Sequence, residues 1–325
     1  LIITSPGAKK RNWIEYLQLK NYCVFDKVEP NPSIDITTDI INEFRSTNFS
    51  NVIGIGGGSC LDVAKFVASK LDKKKILITG VSGLVGTVLA ESLKQEYEIT
   101  GLDLEESSQV PTVKANCSIL QDILPAFYGV DTVIDLASNP SQYSAWDVIH
   151  DVNLKCTSNA LEASKVAGVK RVIFASSNHA TGMYELDSPY SAIVKGDYSG
   201  LEADSIPLIT TDMPVRPDGP YGIAKAFGEA AGRFYSDQYG ISSISVRIGT
   251  LNSEGRPTNQ RQFATLLSHT DLSNLFGRCI EAPSNLKYGI YYGVSRNKWR
   301  FWDISNSETD LGYSPSDDAE IWRKG

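Results

Sequence analysis

Tyr221 and Lys225 bracket the segment Tyr221-Gly222-Ile223-Ala224-Lys225. A spacing of four puts a phenol and an ammonium on one face of a helix. A phenol ordinarily titrates near ~10, too high for a base at neutral pH, and a neighbouring positive charge favours the phenolate. Such a pair can move a proton to or from a reacting hydroxyl. Alone, the spacing equally describes an amphipathic surface helix. A serine pair stands upstream in Phe174-Ala175-Ser176-Ser177-Asn178-His179, where an apolar run ends. Read as a buried strand, that run delivers its last residues to the edge where open α/β sheets bind ligands. A serine hydroxyl there can hydrogen-bond an oxygen that is being oxidised or reduced. Ser177 is the choice for that role, with Ser176 as its structural neighbour. His179 reads either as a satisfied structural histidine or, in this position, as a hydrogen-bonding partner of a substrate.

A redox partner is supplied by Lys75-Ile76-Leu77-Ile78-Thr79-Gly80-Val81-Ser82-Gly83-Leu84-Val85-Gly86. It reads as a buried strand, a glycine turn and the first turn of a helix. Gly80 permits the tight turn, Gly83 lets the backbone approach a diphosphate, and Gly86 lets helix and strand pack closely. The N–H groups at the helix start, where the dipole is positive, face that diphosphate. The next strand, Glu98-Ile99-Thr100-Gly101-Leu102-Asp103-Leu104, ends in an acid at the distance expected of a residue that accepts hydrogen bonds from a ribose. Asp103 would repel a 2′-phosphate, and Glu105 and Glu106 add to that repulsion, so NAD rather than NADP is the expected cofactor.

The elements that position these groups alternate. Strands are predicted at 75–79, 97–102, 131–136, 171–175, 243–248 and 289–293, and helices around 84–94, 120–128, 144–168 and 221–239. Near-continuous apolar strands such as Arg171-Val172-Ile173-Phe174-Ala175 belong to a parallel sheet covered on both faces. The fold class is therefore α/β: a Rossmann-type doubly wound parallel sheet with a small C-terminal substrate subdomain, plus a short N-terminal α/β appendage. The stretch from Glu185 to Asp218, rich in Pro, Asp and Ser, reads as an inserted loop over the site. Two domains are expected, at 1–71 and 72–325, with substrate elements at about 179–218 and 250–288. Within the first, Ile2-Ile3-Thr4, a helix near 9–20, Tyr22-Cys23-Val24-Phe25 and Val52-Ile53-Gly54-Ile55 make a second βαβ pattern.

Composition narrows the partners. With 325 residues, 42% hydrophobic and 21% charged, the chain is an ordinary globular protein. A net charge of -7 argues against nucleic acid or an anionic membrane as partner and leaves a small molecule. Five scattered cysteines, with no Cys-x-x-Cys pair, point to a reduced cytoplasmic setting and away from disulfides or zinc. Lys73-Lys74-Lys75 and the uncharged residues after it imitate a signal peptide. The segment is internal, glycine-interrupted and shorter than the ~20 residues of a membrane span. The sequons Asn48-Phe49-Ser50 and Asn116-Cys117-Ser118 are then chance matches. The chain begins at Leu1 rather than Met, so the expectation is that the true N-terminus lies outside it.

Two resemblances follow from these motifs. Gly56-Gly57-Gly58-Ser59-Cys60-Leu61-Asp62-Val63-Ala64-Lys65 resembles the glycine motif in the nucleotide-binding part of the iron-containing alcohol dehydrogenases. That likeness stops near Leu71 and lacks the helical domain that carries the family's metal ligands, so no metal is expected and the segment reads as a truncated half-site. Residues 75–325 resemble the extended short-chain dehydrogenase/reductase family, which includes NAD-dependent epimerases and dehydratases. Within it the likeness is to uronate dehydrogenases and the NAD-dependent short-chain type of glucose-6-phosphate dehydrogenase. The carrying motifs are Phe174 to His179, Tyr221 to Lys225, Val246-Arg247-Ile248-Gly249 and Leu267-Ser268-His269-Thr270-Asp271, continued by Tyr291-Tyr292-Gly293-Val294-Ser295 and Leu311-Gly312-Tyr313-Ser314-Pro315.

The resemblance implies Ser177, Tyr221 and Lys225 as catalytic residues. It implies cofactor contacts at Gly80, Ser82, Gly83, Leu84, Val85, Gly86, Asp103, Leu104, Asn116, Leu136, Ala137, Ser138, Asn153, Tyr221, Lys225 and Ile248. Sugar contacts would come from Ser138, Ser177, Asn178, His179, Thr250 and Arg261, and Arg261 could take a carboxylate or phosphate bidentately. Departures from the family pattern are Asp135, where relatives often carry His, and Asn116, where an Asp commonly faces the adenine. The implied reaction is oxidation at C1 of an acidic or phosphorylated cyclic sugar, a uronate or hexose phosphate, to a lactone, in a homodimer built on two long helices. A nucleotide-sugar epimerase or dehydratase with tightly bound NAD is the alternative, although Asn178-His179 stands where dehydratases typically carry Asp-Glu. A non-catalytic NAD sensor is a further reading, but it would have no need to keep Ser177, Tyr221 and Lys225 together.

Overall fold

The computed structural model describes residues 1–323 apart from 45, 46, 48, 50 and 72. The sequon at Asn48-Phe49-Ser50, the expected domain start at Asp72 and the last two residues lie outside the described residues. Two compact units are present, Leu1–Lys73 and Lys74–Gly325.

In the first unit, β1 (Ile2–Thr4) pairs in parallel with β2 (Val24–Phe25) and β3 (Ile53–Ile55), in the order β2-β1-β3. The helices are α1 (Pro6–Lys10), α2 (Ile34–Phe44) and α3 (Gly58–Leu71). The expected helix near 9–20 is instead the five residues of α1 followed by a single 3-10 turn at Glu15–Leu17. Asn12 and Gln18 adopt positive φ, and an α-helix cannot continue through that conformation. Helix α2 escaped the sequence reading because its Ile and Thr residues favour strands. Its buried Thr37, Ile40 and Phe44 recur at three and four residues, the period of one helix face. With Leu1, Ile3, Phe25, Val63 and Val67, Ile40 and Phe44 form this unit's core.

The second unit is built on seven parallel strands in the order β10-β9-β8-β7-β4-β5-β6. They are β4 (Lys75–Thr79), β5 (Glu98–Asp103), β6 (Thr112–Lys114), β7 (Thr132–Asp135), β8 (Arg171–Ser177), β9 (Ser242–Ile248) and β10 (Tyr288–Gly293). Six match the expected strands to within a few residues. The seventh, β6, is a three-residue edge strand, with two of its residues exposed, and too short to show a period. Helices α4 (Leu84–Leu93), α5 (Leu120–Ile123), α6 (Trp146–Val148), α7 (Lys155–Ala167), α8 (Tyr190–Ile193), α9 (Pro220–Tyr239), α10 (Gln262–Thr265), α11 (His269–Ile280) and α12 (Ser305–Leu311) supply the crossovers and the subdomain. Apolar residues on the two faces of the sheet make separate clusters. One holds Ile76, Ile78, Leu89 and Phe276, and the other Leu77, Val133, Leu161 and Val172.

Chain order reverses where β4 lies between β5 and β7, which opens a crevice at the carboxyl ends of the strands. The stretch expected to be a loop, 185–218, is packed. Tyr190, Ile193, Ile206 and Ile209 join Trp299, Phe301 and Trp302 in a third core cluster. Residues 292–304, which lie outside the elements expected at about 179–218 and 250–288, share this core. Among the described residues, no helix is long and apolar enough to cross a membrane, and all five cysteines are free thiols.

Candidate functional site

The crevice is a cleft of about 880 Å³. Its first wall is the glycine turn. Gly80 turns the chain at φ +70°, and a Cβ there would meet the backbone of Leu136 and Ala137 at 2.9 Å. At Gly86 a Cβ would come within 2.6 Å of Gly80 and Val81 backbone, so this glycine seats α4 on β4. Gly83 differs: an added Cβ would meet only the Gly80 carbonyl oxygen, at 3.4 Å. Among the described residues, nothing requires glycine at Gly83. It is the N-cap of α4 and offers no side-chain acceptor, so the first N–H groups of the helix face the cleft without one. This cradle suits a diphosphate. Across it, the Asp103 carboxylate accepts from the Ser82 N–H and hydroxyl (2.9 and 2.6 Å) and from the Leu104 N–H (2.7 Å).

Beneath the turn lies Asp135, 2% exposed. The Thr79 hydroxyl donates to it at 2.7 Å and accepts from the Leu136 and Ala137 N–H groups at 3.1 and 3.2 Å. Burial pushes the Asp135 carboxyl up to about 6, against the downward pull of Thr79, of the positive charge on Lys225 and of the Ala137 N–H.

Helix α9 brings the second wall. Pro220 occupies its first turn, and Gly222 lets it press against the 3-10 segment Asn178–Leu186, since a Cβ there would lie 2.2 Å from the His179 carbonyl oxygen. Tyr221 and His179 consequently meet edge to face at 5.8 Å between ring centroids. The Lys225 ammonium, one turn on and 4% exposed, donates to Ser138 Oγ at 3.2 Å and lies 5.4 Å from the Tyr221 ring centroid. Ser177, the last residue of β8, donates to Asn178 Oδ1 and accepts from the His179 N–H, each at 3.2 Å. Asn178 Nδ2 is buried and, among the described residues, has no hydrogen-bond partner. An orphaned buried donor of this kind is costly unless an acceptor arrives. His179 Nδ1 meets Asp218 Oδ2 at 2.6 Å.

Ser176 turns away into a buried network. It donates to Glu229 at 2.6 Å, and Glu229 is gripped bidentately by Arg247 at 2.8 and 2.9 Å. Arg247 also donates to the Tyr292 hydroxyl at 3.0 Å, which meets Thr181 at 3.0 Å. Burial pulls the Arg247 guanidinium down, but the Glu229 carboxylate outweighs it and leaves the group above its ordinary value. This network ties β8, β9, β10 and α9 together behind the cleft.

Every sequence-predicted site residue except Asn153 lines the cleft. Asn153 is buried in a π-helical turn, Ile149–Leu154, and brackets Asn139 with hydrogen bonds of 2.9 and 3.1 Å. Its contribution is to fix the loop after β7, and Asn139 to Tyr143 of that loop do line the cleft. Asn116 caps its own turn, accepting from the Ser118 N–H and hydroxyl at 2.9 and 2.8 Å. Arg261 lines the wall, but its fork is already engaged: Nε and Nη2 each donate to Glu185 at 2.6 Å, and Nη1 donates to Thr250 Oγ1 at 2.9 Å. Sequence reading missed Glu185 and Asp218. Asp218 had a weak local signal, three residues before Tyr221 in the turn Pro217-Asp218-Gly219-Pro220, and Glu185 had none.

Residues 76–274 match the NAD dependent epimerase/dehydratase family. Residues 1–120 match iron-containing alcohol dehydrogenase, a likeness that runs past Leu71 through β4, α4 and β5. The chain is 34% identical over 254 residues to an NAD-dependent glucose-6-phosphate dehydrogenase of Haloferax volcanii, covering 75% of this chain and 94% of that protein. It is 31% identical over 257 residues to an L-arabinose 1-dehydrogenase (NAD(P)(+)) of the same organism, covering 75% and 97%. Among solved structures, a mutant of uronate dehydrogenase from Agrobacterium tumefaciens complexed with NAD superposes with a TM-score of 0.65. The identity is 29%, and the match covers 77% of this chain and 87% of that one.

Proposed function

The chain belongs to the NAD-dependent epimerase/dehydratase family, and from that premise we propose that it is an NAD-dependent sugar dehydrogenase. The reaction is oxidation at C1 of a cyclic sugar to its lactone, with an acidic or phosphorylated sugar, a uronate or hexose phosphate, as substrate. The observation that carries this reading is the convergence of Ser177, Tyr221 and a buried Lys225 on one wall of a cleft whose other wall is a diphosphate cradle.

Bound NAD supplies the hydride acceptor. The α4 N–H groups and the bare backbone at Gly83 would hold its diphosphate, and the Asp103 carboxylate would accept from its ribose. Tyr221 as phenolate takes the proton of the C1 hydroxyl, with the Lys225 charge beside it. Ser177 turns its hydroxyl from Asn178 to the C1 oxygen and holds that oxygen within reach of Tyr221. Asn178 Nδ2 donates to a sugar oxygen, which satisfies that buried donor. Arg261 faces the anionic group with the N–H bonds that Glu185 and Thr250 leave over. In this reading the enzyme works in the cytoplasm, supported by its five free thiols. It works as a homodimer, supported by Ile223, Phe227 and Phe234, which α9 leaves exposed.

The test is a panel of free uronates, hexose phosphates, neutral aldoses and nucleotide sugars with NAD⁺, followed by NADH absorbance. Reduction with free sugars or sugar phosphates is expected. Conversion of a nucleotide sugar with no net NADH would replace this reading with an epimerase or dehydratase.

A further inference from the structure

Glu185 is an acid at the site to which no role has been given. It lies in the 3-10 segment that follows Ser177, its side chain is 12% exposed, and both of its carboxylate oxygens are spent on Arg261. Arg261 lines the cleft, whereas Glu185 stands behind it. A guanidinium has five N–H donors. Glu185 takes one from Nε and one from Nη2, and Thr250 takes one from Nη1, which leaves one on each terminal nitrogen. Thr250 is itself held by Thr265 at 2.8 Å, so the fork is clamped from two sides. An anion brought to the remaining N–H groups would meet a guanidinium already paired with a carboxylate. Its attraction to Arg261 would be opposed by repulsion from Glu185. An uncharged hydroxyl accepts the same N–H bonds without that repulsion.

We propose that Glu185 is a specificity-determining residue. By holding Arg261 in a bidentate ion pair it offsets the charge at the cleft wall, so that uncharged aldoses are accepted alongside anionic sugars. This rests on the sugar-dehydrogenase reading and deepens it. Discrimination between acid and neutral sugar is then set by the pair, not by Arg261 alone.

The experiment measures kcat/KM for D-glucuronate and D-glucose in the wild type, Glu185→Gln and Glu185→Ala. The double variant Glu185→Gln/Arg261→Met serves as a control. The ratio of glucuronate to glucose should rise about tenfold in Glu185→Gln, mainly through a lower KM for glucuronate, as a freed guanidinium implies. It should rise in Glu185→Ala as well and return to the wild-type value or below in the double variant. A ratio that is unchanged or falls in both single variants would mean that Glu185 merely orients Arg261, and it would overturn the proposal. If the wild type oxidises no sugar, the dehydrogenase reading fails separately. The pair is then judged by calorimetric titration of glucuronate into the NAD-loaded proteins: tighter binding by Glu185→Gln supports the assignment, and equal or weaker binding refutes it.

Discussion

In the proposed reaction proton transfer turns on Tyr221, and Tyr221→Phe removes its hydroxyl while keeping the ring that packs on His179. Turnover should fall by roughly 10²–10⁴, the range of general acid–base catalysis, while NAD binding measured by fluorescence titration stays as it was. A variant that keeps most of its turnover would reduce Tyr221 to a helix residue. Asp135 makes a different prediction, in stability. Its folded value of about 6 lies above the ordinary 3.8, so the folded protein takes up this proton first. Stability from this group is therefore full below about pH 4 and is lost as pH rises through about 6. Asp135→Asn keeps an acceptor for Thr79 and cannot ionise. Denaturant titration should show it more stable than wild type by on the order of 2–3 kcal/mol near neutral pH, with the gap closing toward about pH 4. A gap independent of pH would mean that the carboxyl does not titrate in this range. Residues of this site were legible in sequence where the partners are close along the chain, as with Tyr221 and Lys225 or Ser177 and Asn178. Glu185 was not, because 76 residues separate it from Arg261 and no spacing rule links them.

The glycine turn separates two kinds of glycine within one element. Gly86→Ala forces a methyl group to within 2.6 Å of Gly80 and Val81 backbone, an overpacking that costs about 1–3 kcal/mol and should lower Tm. Gly83→Ala meets nothing closer than 3.4 Å and has an extended backbone that alanine accepts, so Tm should hold while the affinity for NAD falls. The reverse pattern, with Gly83→Ala unfolding and binding unharmed, would remove the diphosphate from that helix end. Strands β4, β7 and β8 could be read from sequence because burial on both faces makes them near-continuous apolar runs, and β9 because Ile244, Val246 and Ile248 alternate with buried polar residues. Helix α2 could not, since its Ile and Thr residues favour strands and mask the helical spacing of Thr37, Ile40 and Phe44. The stretch 185–218 looked like a loop because it is rich in Pro, Asp and Ser. Its order comes from a few apolar anchors, Tyr190, Ile193, Ile206 and Ile209, meeting aromatic residues about a hundred positions on. The same long-range logic governs the buried Arg247–Glu229 pair, with side chains 1% and 4% exposed. Glu229→Ala leaves an uncompensated guanidinium among β8, β9 and α9 and should cost about 3–5 kcal/mol in denaturant titration. A loss well under that would mean that water reaches Arg247.

At the scale of the whole molecule, the two units have separate cores: Leu1, Ile3, Phe25, Ile40, Val63 and Val67 in the first, and three clusters drawn from Ile76 to Tyr313 in the second. The second unit is of a size that ordinarily folds alone, and every residue lining the cleft belongs to it. The first unit keeps the Gly56–Ser59 turn running into α3, and the match to iron-containing alcohol dehydrogenase raises the question of a metal. Among the described residues, no group of three His, Cys, Asp or Glu is placed to hold one. Removal of residues 1–73 should therefore leave sugar-dependent NAD reduction largely intact, and the full chain should keep its rate after dialysis against EDTA. Both are read from the initial rate of NADH formation on the same sugar. A truncated protein that folds by circular dichroism yet has lost its activity would make the first unit part of the working enzyme. Loss of activity in EDTA, restored by ferrous iron or zinc, would go further and put a metal in the reaction.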